Sequence, residues 1–338
     1  MTAMTGTVDV AVPGLPAIDG IRARRLRDDT DYDRLATIVA EANAFDAIPW
    51  MPTGEHLRVE LEGDAAIDRF TDVILVEVDD RPVAQAQVWR VVRDGRIVFE
   101  VMGSVVSAFR RRGIGRALLE ANLRRVEERA ALEPATMPCE VGAFAEEQEP
   151  GHRALLGGSG FEVVRRFYLM RQPDLRTVSP VAMPDGLELR PVTPDQHRRI
   201  FDAEAEAFRD HWDHREVTDD DFRITFARRE LDTSLWVVAW DGDEVAGVVQ
   251  TWIWAAENER LGVSRGWLEH ISVRRPWRRR GLARTISIEA MIRLRERGID
   301  EAMLGVDSEN PTGALGLYES LGFEVHSRAM AYRRPIVR

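Results

Sequence analysis

Hydrophobic and polar residues follow the same order of elements twice along the chain. Each copy begins with an alternating strand and an amphipathic helical pattern, in GIRARRLRDDTDYDRLATIVAEANAF (20–45) and GLELRPVTPDQHRRIFDAEAEAF (186–208). Two β-rich runs around a polar turn come next, at 73–89 and 235–252, and predict a hairpin in each copy. A further strand, a long helix, a second buried strand, a short helix and a final strand complete both copies. The pattern predicts a tandem repeat.

The repeat divides the 338 residues into two domains of the α/β class. We predict a loose N-terminal tail at 1–19, an N-terminal domain at 20–172, a linker at 173–185 and a C-terminal domain at 186–338. The linker is polar and rich in proline, as domain boundaries commonly are. Each domain is expected to be a mixed central sheet flanked by helices. Ligands of such sheets bind at the carboxyl ends of the central strands.

Composition limits the classes of function. The net charge of -11 argues against a general nucleic-acid-binding protein, and an acidic surface favours cationic partners such as amines. The single cysteine, Cys139, excludes an intrachain disulfide and a multi-cysteine metal site, and no metal is predicted. No apolar run is long enough for a bilayer, and the first residues lack the pattern of a signal peptide. We expect a cytoplasmic protein, monomeric or homodimeric, with no membrane partner.

An arginine–glycine loop occurs at matched positions in the two halves. RRRGIGRALL (110–119) and RRRGLARTI (278–286) each follow a predicted strand and precede a long helical pattern. The N–H groups at the start of a helix have no internal partners and carry the positive end of the helix dipole. Because a glycine there lets the backbone approach a ligand, the loop is typical of a pyrophosphate site. The alternative is a plain turn with a solvated basic face, and the repetition at matched positions favours the phosphate loop.

The two loops and one further motif resemble a known family. VVSAFRRRGIGRALL and VRRPWRRRGLARTI are similar to the acetyl-CoA-binding signature of the GCN5-related N-acetyltransferases, the GNAT family. NPTGALGLYESLGFE (310–324) is similar to the C-terminal signature of that family, in which an Asn is followed by a helix with a Tyr and then Gly-Phe. The resemblance covers nearly the whole chain, once in each half. It implies two tandem GNAT-like domains with splayed central sheets, an architecture similar to that of the mycothiol synthases.

The resemblance also implies which residues hold acetyl-CoA, the expected cosubstrate. In the family the fourth and fifth strands splay apart and admit the pantetheine arm. Val273 would offer its backbone to the thioester carbonyl, and the loop at 278–283 would hold the pyrophosphate. The expected cofactor-binding residues of the second half are Ile271, Val273, Arg278, Arg279, Arg280, Gly281, Leu282, Ala283 and Asn310. Those of the first half are Val105, Arg110, Arg111, Arg112, Gly113 and Gly115.

Two residues of the second half are expected to carry the chemistry. An amine must lose a proton to attack a thioester, and the leaving thiolate gains one. The resemblance implies Tyr318 as the acid and Glu269 as the base. Asn310 and Pro311 are expected to begin the helix that contains Tyr318. Strict strand alternation would place Glu269 on the same face as Val273. The alternatives are a Tyr that only packs on the core, a Glu that binds a cationic acceptor and an Asn that is only a cap.

The first half keeps the loop and lacks the matching chemistry. Counting back from the Gly-Phe pair of each half places Leu156 and Gln148 where the second half has its Tyr and its Asn. Counting back from the arginine loop places Val101 at the position of the glutamate, and Glu100 is one residue off on the opposite face. We expect the first half to be catalytically silent, whether it binds CoA or only shapes the acceptor pocket.

The sequence thus predicts an acetyl-CoA-dependent N-acetyltransferase that acts on a primary amine of a small molecule, with its active site in the second half. A non-catalytic CoA-binding or sensing protein and an acyltransferase that uses another acyl-CoA are the alternatives. Asp210, His211 and Trp212 lie where the family builds part of its acceptor site, and they are equally consistent with an exposed acidic loop. The acceptor is not specified, because a fold does not dictate a substrate.

Overall fold

The computed structural model of the chain describes residues 9–63, 66–229, 231–310 and 313–337. The chain forms two compact units. Unit 1 takes in the described residues up to Val164 and those from Ala331 onwards, and unit 2 is Arg165–Met330. The units are defined by spatial contacts. The domain bounds at 20–172 and 186–338 follow the repeat in the sequence and stay a prediction.

Apart from an additional helix at 255–261 in the second half, the helices and strands follow the order that the repeat predicts. Those of the first half are β1 (Ile21–Arg24), α1 (Thr30–Asp46), α2 (Gly54–Gly63), β2 (Val73–Val78), β3 (Arg81–Arg93), β4 (Arg96–Val105), α3 (Ile114–Ala130), β5 (Cys139–Glu146), α4 (Pro150–Gly158) and β6 (Glu162–Gln172). Those of the second half are β7 (Glu188–Leu189), α5 (His197–Phe208), α6 (Asp219–Ala227), β8 (Val237–Asp241), β9 (Glu244–Trp252), α7 (Ala255–Leu261), β10 (Arg265–Val273), α8 (Leu282–Glu296), β11 (Glu301–Asp307), α9 (Ala314–Ser320) and β12 (Glu324–Pro335).

Each unit is built on a mixed sheet flanked by helices, as the sequence predicts. The strand order is β1-β2-β3-β4-β5-β12 in unit 1 and β6-β11-β10-β9-β8-β7 in unit 2. β4 and β5 are parallel, as are β10 and β11. The hairpins β3–β4 and β9–β10 are antiparallel.

The segment expected to be a loose tail packs on unit 1 where it is described. Residues 1–8 lie outside the described residues. From Asp9 onwards the chain runs beside β1, where Asp9 forms an antiparallel bridge with Arg24. Val12 is 8% exposed and belongs to the core of the unit, and Leu15 and Ile18 pack against that core. Burial of these apolar side chains holds the segment in place.

Helices cover both faces of the unit 2 sheet, because side chains alternate along its strands. Val237 of β8 belongs to a core that includes Ile286 of α8. Val238, the next residue, belongs to a second core that includes Ile200 of α5. We call these two sides of the sheet the α8 face and the α5 face.

The parallel pair in each sheet separates part-way along its length. β10 and β11 pair only over Arg265–Trp267 and Glu301–Met303. β4 and β5 pair from Ile97 and Cys139 to Glu100 and Gly142. Beyond these points no ladder joins the two strands in the described residues, so each sheet has the splay expected from the family resemblance.

The last strand of each unit comes from the other half of the repeat. In unit 2, β6 pairs with β11, with Gln172 opposite Ala302. In unit 1, the end of β12 lies beside β5, and the N–H of Ile336 donates to the carbonyl of Cys139 at 3.0 Å. The repeat alone does not predict this exchange, because both copies have the same pattern of elements.

Candidate active site

The phosphate loop of unit 2 connects β10 to α8. The chain passes through two residues in the left-handed region, Arg279 at φ 65° and Gly281 at φ 81°. Gly281 directly precedes α8, and in the described chain no side chain caps this helix. The N–H groups of the first turn and the positive end of the helix dipole form the kind of concave backbone site that binds phosphate groups.

Unit 1 has the same loop conformation. Arg111 lies at φ 62° and Gly113 at φ 96°, directly before α3. A Cβ atom added at Gly113 or Gly281 would meet nothing within 4 Å. Glycine is favoured at both positions because φ is positive there, since a side chain would have enough room.

The first arginine of the unit 2 loop is held by protein acceptors. Its guanidinium donates to the carbonyl of Val273 at 2.8 Å and to that of Ala207 at 3.2 Å. It also donates to the carboxylate of Asp210 at 2.6 Å. The Arg278 side chain ties the end of β10 to the end of α5. The side-chain contact with pyrophosphate that the sequence suggests has to compete with these three partners.

Arg110 makes the equivalent contacts in unit 1. It donates to the carbonyl of Val105 at 2.9 Å and to the carboxylate of Asp46 at 2.6 and 2.7 Å. It also donates to the carbonyl of Ala42 at 3.4 Å. The tie between strand and helix was duplicated together with the loop.

Among the three arginines at 278–280, Arg279 and Arg280 are those whose guanidinium groups can contact a ligand. Both residues are exposed, and within the described chain neither forms a hydrogen bond or an ion pair. Arg284, in the first turn of α8, donates to the hydroxyl of Ser320 at 2.8 Å and so joins this turn to α9. Two exposed cations beside uncapped N–H groups fit a pyrophosphate. Arg111 and Arg112 of unit 1 are exposed in the same way.

The apolar residues expected at the cofactor support the strand and the loop. Ile271, Val273 and Leu282 pack in or against the core on the α8 face. Val105 packs against the corresponding core of unit 1. A Cβ on Gly115 would lie 3.8 Å from Val105, an ordinary van der Waals distance. Any contact of these residues with a cofactor involves their backbone, and Ala283 is half-buried beside them.

Glu269 is the extra residue of a β-bulge in β10. Leu268 lies opposite Thr251 and His270 lies opposite Gln250, so Glu269 has no partner of its own in β9. It is exposed, and among the described residues it forms no hydrogen bond or ion pair. Bulges commonly re-aim side chains beside active sites.

The bulge interrupts the alternation assumed from the sequence. Leu268 and Ile271, three residues apart, both pack on the α8 face. Strict alternation, from which Glu269 is expected on the face of Val273, therefore does not hold across the bulge, and the shared face stays a prediction. The pairing of β10 with β11 ends at Trp267, directly before the bulge. Glu269 thus lies where the two strands begin to separate.

The bulge has no counterpart in unit 1. β3 and β4 pair there without a shift in register. Val101 occupies the fifth rung of the ladder counted back from the loop, and in unit 2 that rung holds Leu268. Placing Val101 at the Glu269 position by counting residues is wrong, because Glu269 is an inserted residue.

Tyr318 lies on the buried stripe of α9. It is 7% exposed and Leu321 is 8% exposed, and its ring centroid is 6.1 Å from that of Phe323. Burial raises the pKa of Tyr318 to about 12, so the hydroxyl keeps its proton at neutral pH. Within the described residues the hydroxyl has no hydrogen-bond partner. This environment suits a proton donor, and the position of the ring also suits a core residue.

The helix that contains Tyr318 starts later than predicted. α9 begins at Ala314, and Gly313 at φ 78° is its N-cap. Asn310 lies in the preceding turn, where its N–H donates to the carbonyl of Asp307 at 3.1 Å. The prediction that Asn310 begins the helix is wrong, since the turn ends at a left-handed glycine. Pro311 lies outside the described residues.

Unit 1 lacks these groups. Leu156 is completely buried. Gln148 is half-buried in the turn before α4. The carboxylate of Glu100 lies 3.3 Å from the guanidinium of Arg333 and 3.5 Å from that of Arg93. The carboxylate of Glu100 is thus already engaged by two cations of the protein.

Sequence reasoning missed a polar cluster on the α5 face of unit 2. Glu204 of α5 is 6% exposed, accepts a hydrogen bond from the side chain of Gln250 and pairs with Nδ1 of His270. Burial alone would lower the pKa of His270, but the carboxylate of Glu204 and the charge of Glu269 raise it to about 9. The sequence feature that could have indicated this cluster is a glutamate among the apolar positions of α5, together with a histidine on a strand of the same half.

The loop after α5 is partly structural. The carboxylate of Asp210 accepts hydrogen bonds from Arg275 and Arg278, which hold its pKa well below the usual range. The rings of His211 and Phe208 lie 4.3 Å apart. Burial lowers the pKa of His211. Asp210 therefore supports the phosphate loop, and His211 lies beside the ring that also contacts His270.

Comparison with known proteins decides the family. The model of the acetyltransferase (GNAT) family matches residues 197–323. A mycothiol acetyltransferase of Clavibacter michiganensis is 30% identical over 95% of this chain and 98% of its own length. The chain belongs to the GNAT family of acetyltransferases. Its membership makes it an acyltransferase, and GNAT proteins use acyl-CoA.

Solved structures support the tandem arrangement of this GNAT protein. A GCN5-related N-acetyltransferase from Sphaerobacter thermophilus is 26% identical, with a TM-score of 0.70 over 95% of this chain and 97% of that one. A tandem GNAT protein from the clavulanic acid biosynthesis pathway has a TM-score of 0.69 over 93% and 98% of the two chains, at 17% identity. The second likeness shows the fold alone.

The described residues lack two further features, a membrane-spanning helix and a cluster of metal-binding side chains. No helix among them combines the length and the apolar character that crossing a membrane requires. They also contain no group of three or more His, Cys, Asp or Glu side chains suited to a metal ion.

Proposed function

We propose that this GNAT protein transfers the acetyl group of acetyl-CoA to a primary amine of a small molecule, and that the reaction takes place in unit 2. The observation that carries the proposal is the position of Glu269. An exposed carboxylate that forms no hydrogen bond or ion pair with the described residues lies on the bulge where β10 and β11 separate, and the phosphate loop follows the end of β10. An amine that approaches the splay meets the carboxylate beside the expected thioester.

In the proposed reaction Glu269 takes a proton from the ammonium group of the acceptor, directly or through a water. The amine nitrogen then attacks the thioester carbon, the C–N bond forms and the C–S bond breaks. The electron pair of that bond goes to sulfur, and the Tyr318 hydroxyl gives sulfur a proton. The products are an amide and free CoA thiol. Each proton has a donor and an acceptor, so no other co-reactant is needed.

The loop of unit 2 holds the CoA in this proposal. The N–H groups at the start of α8 and the guanidiniums of Arg279 and Arg280 bind the pyrophosphate. Asn310 is the proposed contact to the pantetheine arm. The Arg278 side chain keeps the loop against β10 through the carbonyl of Val273.

The test is release of thiol from acetyl-CoA in the presence of a panel of amines. The panel contains amino acids, polyamines, aminoglycosides and the acceptor of the mycothiol acetyltransferases. We expect turnover with at least one class of primary amine. Tight binding of CoA without turnover of any acceptor would favour a non-catalytic CoA-binding protein. Propionyl-CoA and longer acyl-CoA thioesters, compared at equal concentration, test the preference for acetyl.

Unit 1 is proposed to be catalytically silent. The support is the burial of Leu156 at the position of the acid, together with the absence of a bulge from the β3–β4 ladder. Its loop has the conformation of the catalytic one, so binding of CoA without turnover is the corresponding expectation. Calorimetric titration with CoA measures the number of sites, and two sites per chain would identify unit 1 as a binding unit.

A further inference from the structure

The polar cluster on the α5 face contains one group that is open to solvent. Glu204 and Gln250 are buried, with residue exposures of 6% and 3%. The side chain of His270 is 50% exposed although its Nδ1 is bonded to Glu204. The ring is fixed on one side by the carboxylate and rests against Phe208 at 5.4 Å. Its other nitrogen remains for a ligand beside the bulge.

The cluster is specific to the catalytic unit. Met102 holds the rung of the unit 1 ladder that His270 holds in unit 2. It lies opposite Gln87 as His270 lies opposite Gln250, and it is 41% exposed. The fold itself thus does not require an imidazole at this position.

The charged groups around His270 determine the protonation state of its ring. Glu204 on α5 and Glu269 on β10 favour the imidazolium, and Arg228 at the end of α6 opposes it. His211 beyond α5 also faces this region. With a pKa of about 9 the ring is a cation at neutral pH. Its neighbour in sequence is the proposed base, so a cation and an amine-binding carboxylate lie side by side.

We propose that His270 binds a carboxylate of the acceptor, and that the acceptor is an amine with a carboxylate a short distance from its nitrogen, as in an amino acid. The proposal rests on the proposed function and deepens it. The acceptor's ammonium group lies at Glu269, and its carboxylate lies on the exposed nitrogen of His270. Adjacent residues of opposite charge match a zwitterion, whereas a simple amine uses only the first contact.

The experiment compares each amino acid with its primary amide, which keeps the amine and replaces the carboxylate by an uncharged carboxamide. We expect kcat/KM for thiol release at pH 7 to be about tenfold higher for the amino acid, a typical size for a partly exposed charged contact. His270→Met copies the residue of unit 1 and should raise KM for the amino acid by about tenfold. The midpoint of urea unfolding of this variant should stay near that of the parent, which shows that the variant is folded, and the rise in KM should be smaller for the amide than for the amino acid. Met102→His is the control and should change neither value.

Glu204→Gln provides a second, independent readout. It keeps a side chain at the same place and removes the charge that favours the imidazolium. The preference for the carboxylate should be present at pH 6 and lost at pH 8, whereas the parent keeps it at both values. A preference that does not vary with pH in this variant would contradict the role of the imidazolium.

Binding measurements distinguish failure of the carboxylate site from failure of the proposed acetyltransferase function. Calorimetric titration of the CoA-bound protein with an N-acetylated amino acid and with its amide measures the contact without turnover. Equal affinity in the parent, or equal loss of both in His270→Met, overturns the carboxylate site while leaving the acetyltransferase intact. Absence of turnover with every amine overturns the proposed function, and a preference for the acid in titration would still support the site.

Discussion

Replacement of Tyr318 by Phe tests both the environment of the hydroxyl and its role. The ring is 7% exposed, and burial raises its pKa from the ordinary value near 10 to about 12. This difference corresponds to about 3 kcal/mol of folding free energy. Since the pKa is higher in the folded state, this contribution is fully present below pH 10. It is lost as the pH rises from 10 to 12.

The change should separate stability from activity. At pH 7 the variant loses a hydroxyl that has no hydrogen-bond partner in the described chain, so we expect a similar midpoint in chemical denaturation. Between pH 10 and 11.5 the parent should lose about 1.5 kcal/mol more than the variant. At pH 7 kcat for thiol release should fall by about tenfold to several hundredfold, as is usual for the loss of an acid catalyst.

The assays are urea unfolding from pH 7 to 11.5 and thiol release at saturating substrates from pH 6.5 to 10. Full activity of Tyr318→Phe would show that this residue is not the acid. An alkaline fall in kcat with a midpoint below pH 10 that disappears in the variant would show that burial does not hold the proton. Either result refutes the reasoning from the structure.

The remaining predictions use the two units as controls for each other. Glu269→Gln should lower kcat/KM for amines by at least about a hundredfold at pH 7 with an unchanged unfolding midpoint and a partial recovery at higher pH, where the free amine is more abundant, and an unchanged kcat/KM at pH 7 would contradict a base at this position. Arg278→Met should raise KM for acetyl-CoA by about tenfold because the loop loses its tie to β10, whereas Arg110→Met should leave thiol release unchanged. Gly281→Glu should abolish turnover, because it places a negative side chain at a left-handed position in the phosphate loop. Gly113→Glu should leave turnover unchanged. A collapse of kcat in Gly113→Glu would show that unit 1 takes part in the reaction.

The sequence predicted the repeat, the mixed sheets and the conformation of the loop, because periodicity and glycine placement are local signals. It did not predict the bulge at Glu269. A bulge is an insertion of one residue into a ladder, and it is visible only when the partner strand is known. Counting residues from the loop therefore gave Val101 as the equivalent of Glu269, although the two ladders have no such correspondence.

The partners of individual side chains were the second feature that could not be predicted from the sequence. An arginine at the start of a phosphate motif suggests a ligand contact, but Arg278 donates to two carbonyls and to Asp210. Glu204 and His270 are separated by 66 positions and meet only because α5 packs on β10. Tertiary packing decides such contacts, and no local pattern encodes them.

The exchange of final strands gives each half of the repeat a structural role in the unit that the other half mainly forms. β6, encoded in the first half, completes the sheet of the unit that holds Glu269 and Tyr318, and the end of β12 completes the other. A gene fragment for 186–338 would encode every proposed catalytic residue and still leave β11 with an unpaired edge, which invites aggregation. The half that is repeated in the sequence and the unit that is compact in the structure are thus different stretches of chain. If the first half is catalytically silent as proposed, it still supplies β6 to the sheet of unit 2.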